Sequence, residues 1–255
     1  MSIPRQNIII LNKCRAFYII KAMKKIMTLC TITLLIIGLA LCASCAPPLS
    51  AQESSQESAT YERIYASEPQ PTGKVKELLD FLDTCVGGQY IYGAQGHKIT
   101  PDYLASSYAI YENYFSHGRY EYFADIAESC ESGGYAFPVS YAWDCSGLWW
   151  YAANKLNFYG EPTDMTANGT YHTICTPITK DELRPGDLVF LRDPTGKISH
   201  MGIVGSAGYI YEAASGFVGV VKKRTIDNRV YDDIIRGKVI RYPAWNVFGR
   251  PKIFE

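Results

Sequence analysis

Apolar residues recur at helical spacing in the part of the chain that follows residue 72. The pattern predicts a helix that begins near Gly73 and ends at the pair Gly87-Gly88. A second pattern of this kind between Pro101 and Cys130 predicts one or two further helices. The apolar positions are Val75, Leu78, Leu79 and Leu82 in the first pattern, and Leu104, Tyr108, Tyr111 and Phe115 in the second. This part of the chain is therefore expected to be helical.

The second half of the chain carries short runs of β-prone residues instead. Clusters of Gly, Ser, Asp and Pro separate these runs, which is typical of an antiparallel meander. Before the first run, Thr179 and Glu182 have the spacing of a capping box and predict one helical turn. The runs are 187–191, 201–204, 209–213, 219–225 and 238–242. Helices followed by strands predict an α+β fold.

The most continuous apolar run lies near the N-terminus. It spans residues 26–42, follows three lysines, and is followed by small residues and then two prolines. Basic, apolar and small residues in this order are typical of an export signal. The run also approaches the length of a membrane span. Because it ends abruptly, we favour a cleaved export signal over residues 1–45.

The rest of the chain divides by composition. Residues 46–72 are rich in Ser, Glu, Gln, Ala and Pro, so they bury too little apolar surface to offset the entropy of ordering and predict a disordered tether. Residues 73–255 then form the folded domain. Within it, the tyrosine-rich segment 97–143 is expected to be a packed helical insertion rather than a second binding module, because tyrosine at helical spacing more often packs than binds.

Composition and charge exclude several classes of function. Lys plus Arg and Asp plus Glu each total 25, so no net charge favours binding to nucleic acid. His97, His117 and His172 have no partners at metal-ligand spacing, which disfavours a zinc peptidase. No phosphate-binding glycine motif occurs either. We therefore expect no metal and no cofactor.

The eight cysteines fall into groups. Four lie within residues 1–45, and one of the others is the candidate nucleophile described below. Cys85, Cys130 and Cys175 remain, and export would permit one disulfide among them. Burial of all three as small apolar side chains is the alternative, and the sequence does not choose between the two.

The candidate chemistry lies in three residues that are distant in the sequence. Cys145, in the tetrapeptide 144–147, opens an apolar helical run, and His200 begins a strand-like run. A thiol attacks as the thiolate, which a helix N-terminus and an imidazolium both favour. Glu212 lies on the next predicted strand, where its carboxylate would orient the imidazole. Asp144 is expected to cap the helix.

Four motifs in this order resemble the NlpC family of papain-like cell-wall cysteine peptidases. They are 90–93, Tyr-Ile-Tyr-Gly; 144–148, Asp-Cys-Ser-Gly-Leu; 183–190, Leu-Arg-Pro-Gly-Asp-Leu-Val-Phe; and 200–204, His-Met-Gly-Ile-Val. The resemblance implies a papain-like fold whose nucleophile helix packs on an antiparallel sheet. It also implies hydrolysis of peptidoglycan stem peptides, commonly at the bond between γ-linked D-glutamate and a diamino acid. Tyr90, Asp144 and Ser146 match positions that recognise the free amino end of the peptide and line the cleft in relatives.

The chain departs from that family in three places. Relatives often have Trp-Gly-Gly where this chain has Tyr92-Gly93-Ala94, and histidine, asparagine or glutamine where Glu212 stands. Many also have only a short loop in place of the insertion 97–143, so we expect this insertion to border the cleft and alter specificity. At the N-terminus, residues 41–45 resemble a lipoprotein lipobox, in which Cys45 would become the lipidated residue. Cys42 departs from that motif, which leaves simple secretion as the alternative.

Aromatic residues near the nucleophile have two interpretations. Trp143, Trp149 and Trp150 are expected mostly to pack the helix on the sheet, with Trp143 the one among them that faces a ligand. Tyr90 can equally pack or line the cleft.

These observations predict a monomeric, exported and lipid-anchored cysteine endopeptidase of the cell envelope. Cys145 would attack, His200 would transfer the proton, Glu212 would orient His200, and the backbone N–H of Cys145 would help to hold the oxyanion. The alternatives are an amidase or an acyl transferase on the same scaffold, or a non-catalytic lipoprotein that binds wall peptides.

Overall fold

The computed structural model describes residues 70–215, 217–223, 225–233 and 237–255. The predicted export signal 1–45, the lipidation site Cys45 and nearly all of the predicted tether 46–72 lie outside these residues. In the described ranges, no helix combines the length and the apolarity that crossing a membrane requires.

Helices form where the apolar spacing predicts them. The segment from Pro101 to Cys130 forms two helices and not one, because His117 and Gly118 adopt left-handed backbone angles, with φ of 62° and 79°. The first of the two begins at a cap, where Thr100 accepts a hydrogen bond from the backbone N–H of Tyr103. The described α-helices are Gly73–Cys85 (α1), Pro101–Tyr111 (α2), Arg119–Glu131 (α3), Cys145–Lys155 (α4) and Ala167–Ile174 (α5). Short 3-10 turns span Glu112–Phe115, Lys180–Glu182, Ser206–Gly208 and Lys252–Phe254.

Within the described residues, the strands form one large antiparallel sheet and two small sheets. The large sheet has the order β4-β11-β5-β6-β7-β8, a three-stranded sheet has the order β1-β3-β2, and β9 pairs with β10. The strands are Gln89–Tyr90 (β1), Gln95–Lys98 (β2), Tyr141–Trp143 (β3), Cys175–Ile178 (β4), Leu188–Arg192 (β5), Ile198–Val204 (β6), Ile210–Ala214 (β7), Gly219–Lys223 (β8), Arg229–Asp233 (β9), Lys238–Tyr242 (β10) and Val247–Pro251 (β11). The predicted α+β class is confirmed.

The sequence patterns do not predict strands β2, β3, β4, β9 or β11, and β2 and β3 overlap the ends of the expected helical insertion 97–143. β4 contains Pro177, which an edge strand tolerates because one side of it needs no ladder hydrogen bonds. β11 contains Gly249 and ends at Pro251, residues that mask a strand pattern. β9 alternates charged and apolar residues too briefly to stand out.

The turn before β5 is anchored by a buried carboxylate. Glu182 accepts a hydrogen bond of 2.7 Å from the backbone N–H of Thr179, so the predicted capping box is present. Asp187 then accepts from the backbone N–H of Arg184 at 2.9 Å. The guanidinium of Arg250 on β11 donates two hydrogen bonds of 2.9 Å to the same carboxylate. The Arg-Pro-Gly-Asp segment is thus fixed to strand β11 of the large sheet.

The main core lies between α4 and the large sheet. Buried side chains of the helix meet those of the strands, and burying each large apolar side chain contributes about 1.5–3 kcal/mol. These residues are Leu148, Trp149, Trp150, Ala152 and Ala153 from α4, and Leu188, Phe190, Met201, Ile203 and Tyr211 from the sheet. A second cluster forms around the helical insertion from Ile91, Ala94, Ile99, Leu104, Phe115, Phe123, Ile126, Ala127, Cys130 and Ala142. The insertion therefore has a core of its own.

Candidate active site

Cys145 is the first residue of α4, and the residue before it caps the helix. Asp144 has extended backbone angles, φ −91° and ψ −177°. Its Oδ1 accepts a hydrogen bond of 2.6 Å from the backbone N–H of Gly147 and one of 3.2 Å from the Ser146 hydroxyl. The predicted cap is therefore present, and it places the thiol at the positive end of the helix dipole.

A loop after β1 holds this helix start in place. The backbone N–H of Gly93 donates to Oδ2 of Asp144 at 3.0 Å, and the backbone N–H of Asp144 donates to the carbonyl of Ala94 at 2.8 Å. Gly147 lies against the same carbonyl so closely that an added Cβ would be 2.1 Å from the oxygen. Only glycine fits this approach, so the helix start and the loop form one rigid unit.

His200 on β6 and Glu212 on β7 form the second half of the site. The strands are antiparallel, with Ile203 opposite Tyr211. Because side chains alternate along a strand, His200 and Glu212 project from the same face, as predicted. Nε2 of His200 lies 2.7 Å from Oε1 of Glu212. The side chain of His200 is 15% exposed and that of Glu212 is 0% exposed.

The thiol of Cys145 lies near the ring of His200, close enough for its charge to raise the pKa of that ring. Burial of His200 would lower its pKa, but the charge of Cys145, the hydrogen bond to it and the contact with Glu212 raise the pKa to about 9. Near neutral pH the ring is therefore an imidazolium, the state that stabilises a neighbouring thiolate.

Glu212 is surrounded by three polar partners. Besides His200, Nη2 of Arg229 donates to Oε1 and the hydroxyl of Tyr231 donates to Oε2. Burial would raise the pKa of Glu212, but the hydrogen bonds and charges of His200 and Arg229 lower it overall. The carboxylate is thus ionised inside the protein.

Sequence reasoning missed three residues of this site, namely Arg229, Tyr231 and Trp245. The ring of Trp245 stacks on that of His200, with centroids 5.6 Å apart and planes 4° apart. Arg229 and Tyr231 are two residues apart on β9, and side chains at this spacing share one face of a strand. That spacing is the one signal in the sequence that could have grouped them.

The predicted substrate-binding residues lie beside the nucleophile, but they are largely buried. Burial raises the pKa of Tyr90, and the nearby negative charges of Cys145 and Asp144 raise it further. The Tyr90 ring is therefore close to the site, although its exposure is small. Ser146 is also buried and donates to Asp144. Both residues contribute to packing around the nucleophile, whichever other role they have.

Trp143 does not face a ligand, and the expectation that it would is wrong. Its side chain is 0% exposed and packs against the rings of Phe137, Tyr141 and Tyr151. Enclosing so large an apolar ring stabilises the fold, and the enclosure leaves no face open to a substrate. Trp149 and Trp150 are fully buried as expected.

Cys85, Cys130 and Cys175 are free thiols and are buried, so the structure matches the second of the two alternatives for them. Burial raises the pKa of Cys85 to about 11 and that of Cys175 to about 12. Cys145 is the only partly exposed cysteine among the described residues. Across those same residues, no three His, Cys, Asp or Glu side chains are grouped as metal ligands.

The insertion reaches the site through Tyr90. The hydroxyl of Tyr114 donates to the backbone carbonyl of Tyr90, and the two rings have centroids 5.9 Å apart. The guanidinium of Arg119 lies 4.8 Å from the centre of the Tyr114 ring. Tyr122 donates to the side chain of Gln89 at 2.9 Å. The insertion thus supports the strand that carries Tyr90.

A cysteine at a helix N-terminus, with a histidine and a carboxylate on neighbouring antiparallel strands, defines the papain-like class of α+β folds. Residues 131–237 match the profile described as the NlpC/P60 family, so the resemblance that the motifs suggested is confirmed for this segment of the chain. Members of this family are generally cysteine peptidases or peptidoglycan hydrolases.

Solved structures of this family are also similar to the chain. NlpC1 from Trichomonas vaginalis shares 18% identity with a TM-score of 0.41, and the match covers 71% of this chain and 46% of that one. NlpC2 from Trichomonas vaginalis shares 15% identity with a TM-score of 0.42, covering 72% and 48%. The NlpC/p60 domain of the peptidoglycan hydrolase SagA shares 16% identity with a TM-score of 0.36, covering 59% and 89%. The chain spans less than half the length of the first two proteins. A comparison with curated proteins gave no match.

Proposed function

We propose that this chain is an exported cysteine endopeptidase that hydrolyses peptidoglycan stem peptides through Cys145, His200 and Glu212. The observation that carries the proposal is the placement of the Cys145 thiol near the His200 ring, whose Nε2 lies 2.7 Å from the Glu212 carboxylate. It lies within the segment that matches the NlpC/P60 family, whose members act in the cell wall.

The chemistry follows from these three groups. The thiolate of Cys145 attacks the carbonyl carbon of the peptide bond, and His200 gives its proton to the leaving amine. Water then attacks the thioester, passing a proton to His200 and releasing Cys145. The backbone N–H of Cys145, in the first turn of α4, is the proposed donor to the oxyanion. Glu212 fixes the ring orientation in both steps.

For the substrate, we propose the bond between γ-linked D-glutamate and a diamino acid, with Tyr90, Asp144 and Ser146 recognising the free amino end of the peptide. Asp144 supports this role in part. Its carboxylate accepts two backbone hydrogen bonds and one from the Ser146 hydroxyl, and since an ionised carboxylate has about four acceptor positions, about one is left for an ammonium group. An anionic group beside the nucleophile is suited to a cationic amine.

Export and anchoring are proposed from the sequence pattern of residues 1–45 alone, with Cys45 as the lipidated residue. An anchor near the wall would raise the rate of encounter with substrate without a separate binding module. We further propose that the protein acts as a monomer in the cell envelope.

The central experiment digests defined tripeptide and tetrapeptide stems with the wild type, with Cys145→Ala and with the matched control Cys85→Ala. Fragment masses identify the bond that is cut, and digestion of intact muropeptides would reveal an amidase or a transferase instead. We expect the wild type and Cys85→Ala to cleave and Cys145→Ala to be inactive. Equal cleavage by all three proteins, or none by the wild type under reducing conditions, would refute the proposal.

A further inference from the structure

Arg229 is an arginine held inside the protein beside the candidate active site. Its side chain is 2% exposed. The guanidinium lies 4.0 Å from the centre of the Trp245 ring and 5.1 Å from that of Tyr242. Nη1 donates to the backbone carbonyl of Pro243 at 3.0 Å, and Nη2 donates to Glu212. Ring contacts and hydrogen bonds thus fix this cation in one orientation.

The carboxylate of Glu212 has no exposure to water, so the groups that face it determine its charge. These groups are His200 on β6, and Arg229 and Tyr231 on β9. His200 and Arg229 share Oε1, and Tyr231 occupies Oε2. A buried carboxyl group with no cation beside it takes up a proton, because the charged form is the one that burial disfavours.

We propose that Arg229, assisted by Tyr231, is a positioning residue that keeps Glu212 ionised and aimed at Nε2 of His200. This inference rests on the proposed function, since it assigns Glu212 the role of orienting His200. It makes strand β9 part of the catalytic apparatus, although β9 belongs to a separate two-stranded sheet and contacts no reacting atom.

The physical reason is an alternation of charges. When Cys145 ionises to attack, thiolate, imidazolium, carboxylate and guanidinium follow one another from Cys145 to Arg229, so each charge has an opposite neighbour. Without Arg229, the buried carboxyl group would retain its proton to a higher pH. A protonated Glu212 no longer stabilises the imidazolium, and the thiolate of Cys145 then loses its counter-ion.

The test compares Arg229→Met, which removes the charge, with Arg229→Lys, which keeps the charge without the planar fork. Two readouts are followed across pH, namely kcat/KM for stem-peptide cleavage and the rate at which iodoacetamide alkylates Cys145. For Arg229→Met we expect both rates at pH 7 to fall about tenfold, and the acid limb of each profile to move upward by about one pH unit. Arg229→Lys is expected to keep part of both rates that Arg229→Met loses.

A double variant separates positioning from simple packing. In Glu212→Gln the side chain cannot ionise, so adding Arg229→Met should leave the acid limb where Glu212→Gln alone has it, with rates within about a factor of two. A packing role would instead give the same loss in both backgrounds and leave the acid limb of Arg229→Met unmoved. That second pattern would overturn the inference.

Circular dichroism and thermal unfolding would reveal whether Arg229→Met folds. If it does not, Tyr231→Phe provides a second test of the proposal. It removes only the hydrogen bond to Oε2, and we expect a smaller upward movement of the acid limb. An acid limb identical to the wild type in both Tyr231→Phe and Arg229→Lys would contradict the proposal.

The alkylation measurement needs no substrate, and Cys145→Ala gives its background rate. If the wild type cleaves no stem peptide while the alkylation profiles move as expected, the proposed substrate fails and the role of Arg229 stands.

Discussion

Two regions of the molecule contact the candidate active site, and they do so through different kinds of interaction. The hairpin region, which consists of strands β9 and β10 with Trp245, contacts His200 and Glu212 through charged hydrogen bonds and ring stacking. The helical region, Pro101–Glu131, contacts Tyr90 through the Tyr114 hydroxyl and an aromatic surface. The hairpin region therefore acts on the ionisation of His200 and Glu212, and the helical region supports the position of Tyr90.

This difference predicts how each region responds to substitution. A buried ion pair depends on a few short, directional contacts, and removing one partner leaves a charge unpaired. An aromatic cluster depends on many weak contacts that add up over area, so a substitution there costs stability and leaves the proton chemistry alone. Changes near β9 should therefore alter pH profiles, whereas changes in the helical region should alter unfolding free energy or KM.

The largest effect on activity is expected for His200→Ala. Loss of the group that transfers the proton should lower kcat/KM by about 100- to 10,000-fold. The control is His172→Ala, an exposed histidine on α5, which should keep wild-type activity. The measurement is stem-peptide cleavage followed by mass spectrometry. Near-normal cleavage by His200→Ala would remove the histidine from the mechanism.

The helical region should show its largest effect in Phe123→Ala. Phe123 is buried against the rings of Phe115 and Tyr122, with centroids 6.2 Å and 5.2 Å away. Removing it should lower the free energy of unfolding by about 3–5 kcal/mol in urea titrations. Ile110→Ala, at a position that is 70% exposed, should change it by less than about 0.5 kcal/mol. If the folded fraction of Phe123→Ala has a shifted pH profile, the two regions are not separable in this way.

A smaller effect is expected on the pH dependence of activity, and its direction is well defined. The pKa of His200 is raised to about 9, so activity should fall as the pH rises through that value. Glu212→Gln retains an acceptor for Nε2 but removes the negative charge, so the pKa should fall and the basic limb of kcat/KM should move to lower pH. The exposed Glu161→Gln serves as the control. An unmoved basic limb in Glu212→Gln would mean that the carboxylate charge does not act on the ring.

The same shift has a consequence for stability. Folded His200 holds its proton to a higher pH than an unfolded histidine, whose pKa is 6.5. The folded state therefore binds more protons between these two values, and the stabilisation, complete below 6.5, is lost as the pH rises through about 9. Urea titrations of the wild type and of His200→Ala at several pH values would reveal this loss as a slope present only in the wild type.

The smallest expected effect is that of Tyr114→Phe. It removes one hydrogen bond to the carbonyl of Tyr90 and leaves the ring beneath Arg119. A single hydrogen bond contributes about 0.5–1.5 kcal/mol, so we expect KM to rise a few-fold with the pH limbs unchanged. A shifted limb would show that the helical region also acts on ionisation.

The sequence predicts the parts of this site that depend on local patterns. The cap at Asp144 places Cys145 at a helix start, and alternation along two adjacent strands places His200 beside Glu212. Both follow from spacing within short segments, and the structure brings the three residues together. Their catalytic roles remain proposals.

Local patterns do not predict a contact whose partner residue comes from a distant segment, and they do not predict which way a side chain points. Arg229 is the counter-ion of Glu212 because a separate hairpin folds over the sheet, and no spacing rule in the sequence specifies that contact. Trp143 is adjacent to the helix start, but adjacency does not determine which way a ring points, and on β3 it points inward. Both residues depend on tertiary packing.

The close contact between Gly147 and the carbonyl of Ala94 bears on how inactive relatives are recognised. A methyl group at position 147 would force the start of α4 away from the loop, and the sulfur would move with it. A chain could thus retain cysteine, histidine and glutamate in full and still be a poor enzyme. A survey that classifies such proteins as active from the three side chains alone would therefore overlook position 147, where only the hydrogen of a glycine leaves the sulfur in line with the histidine.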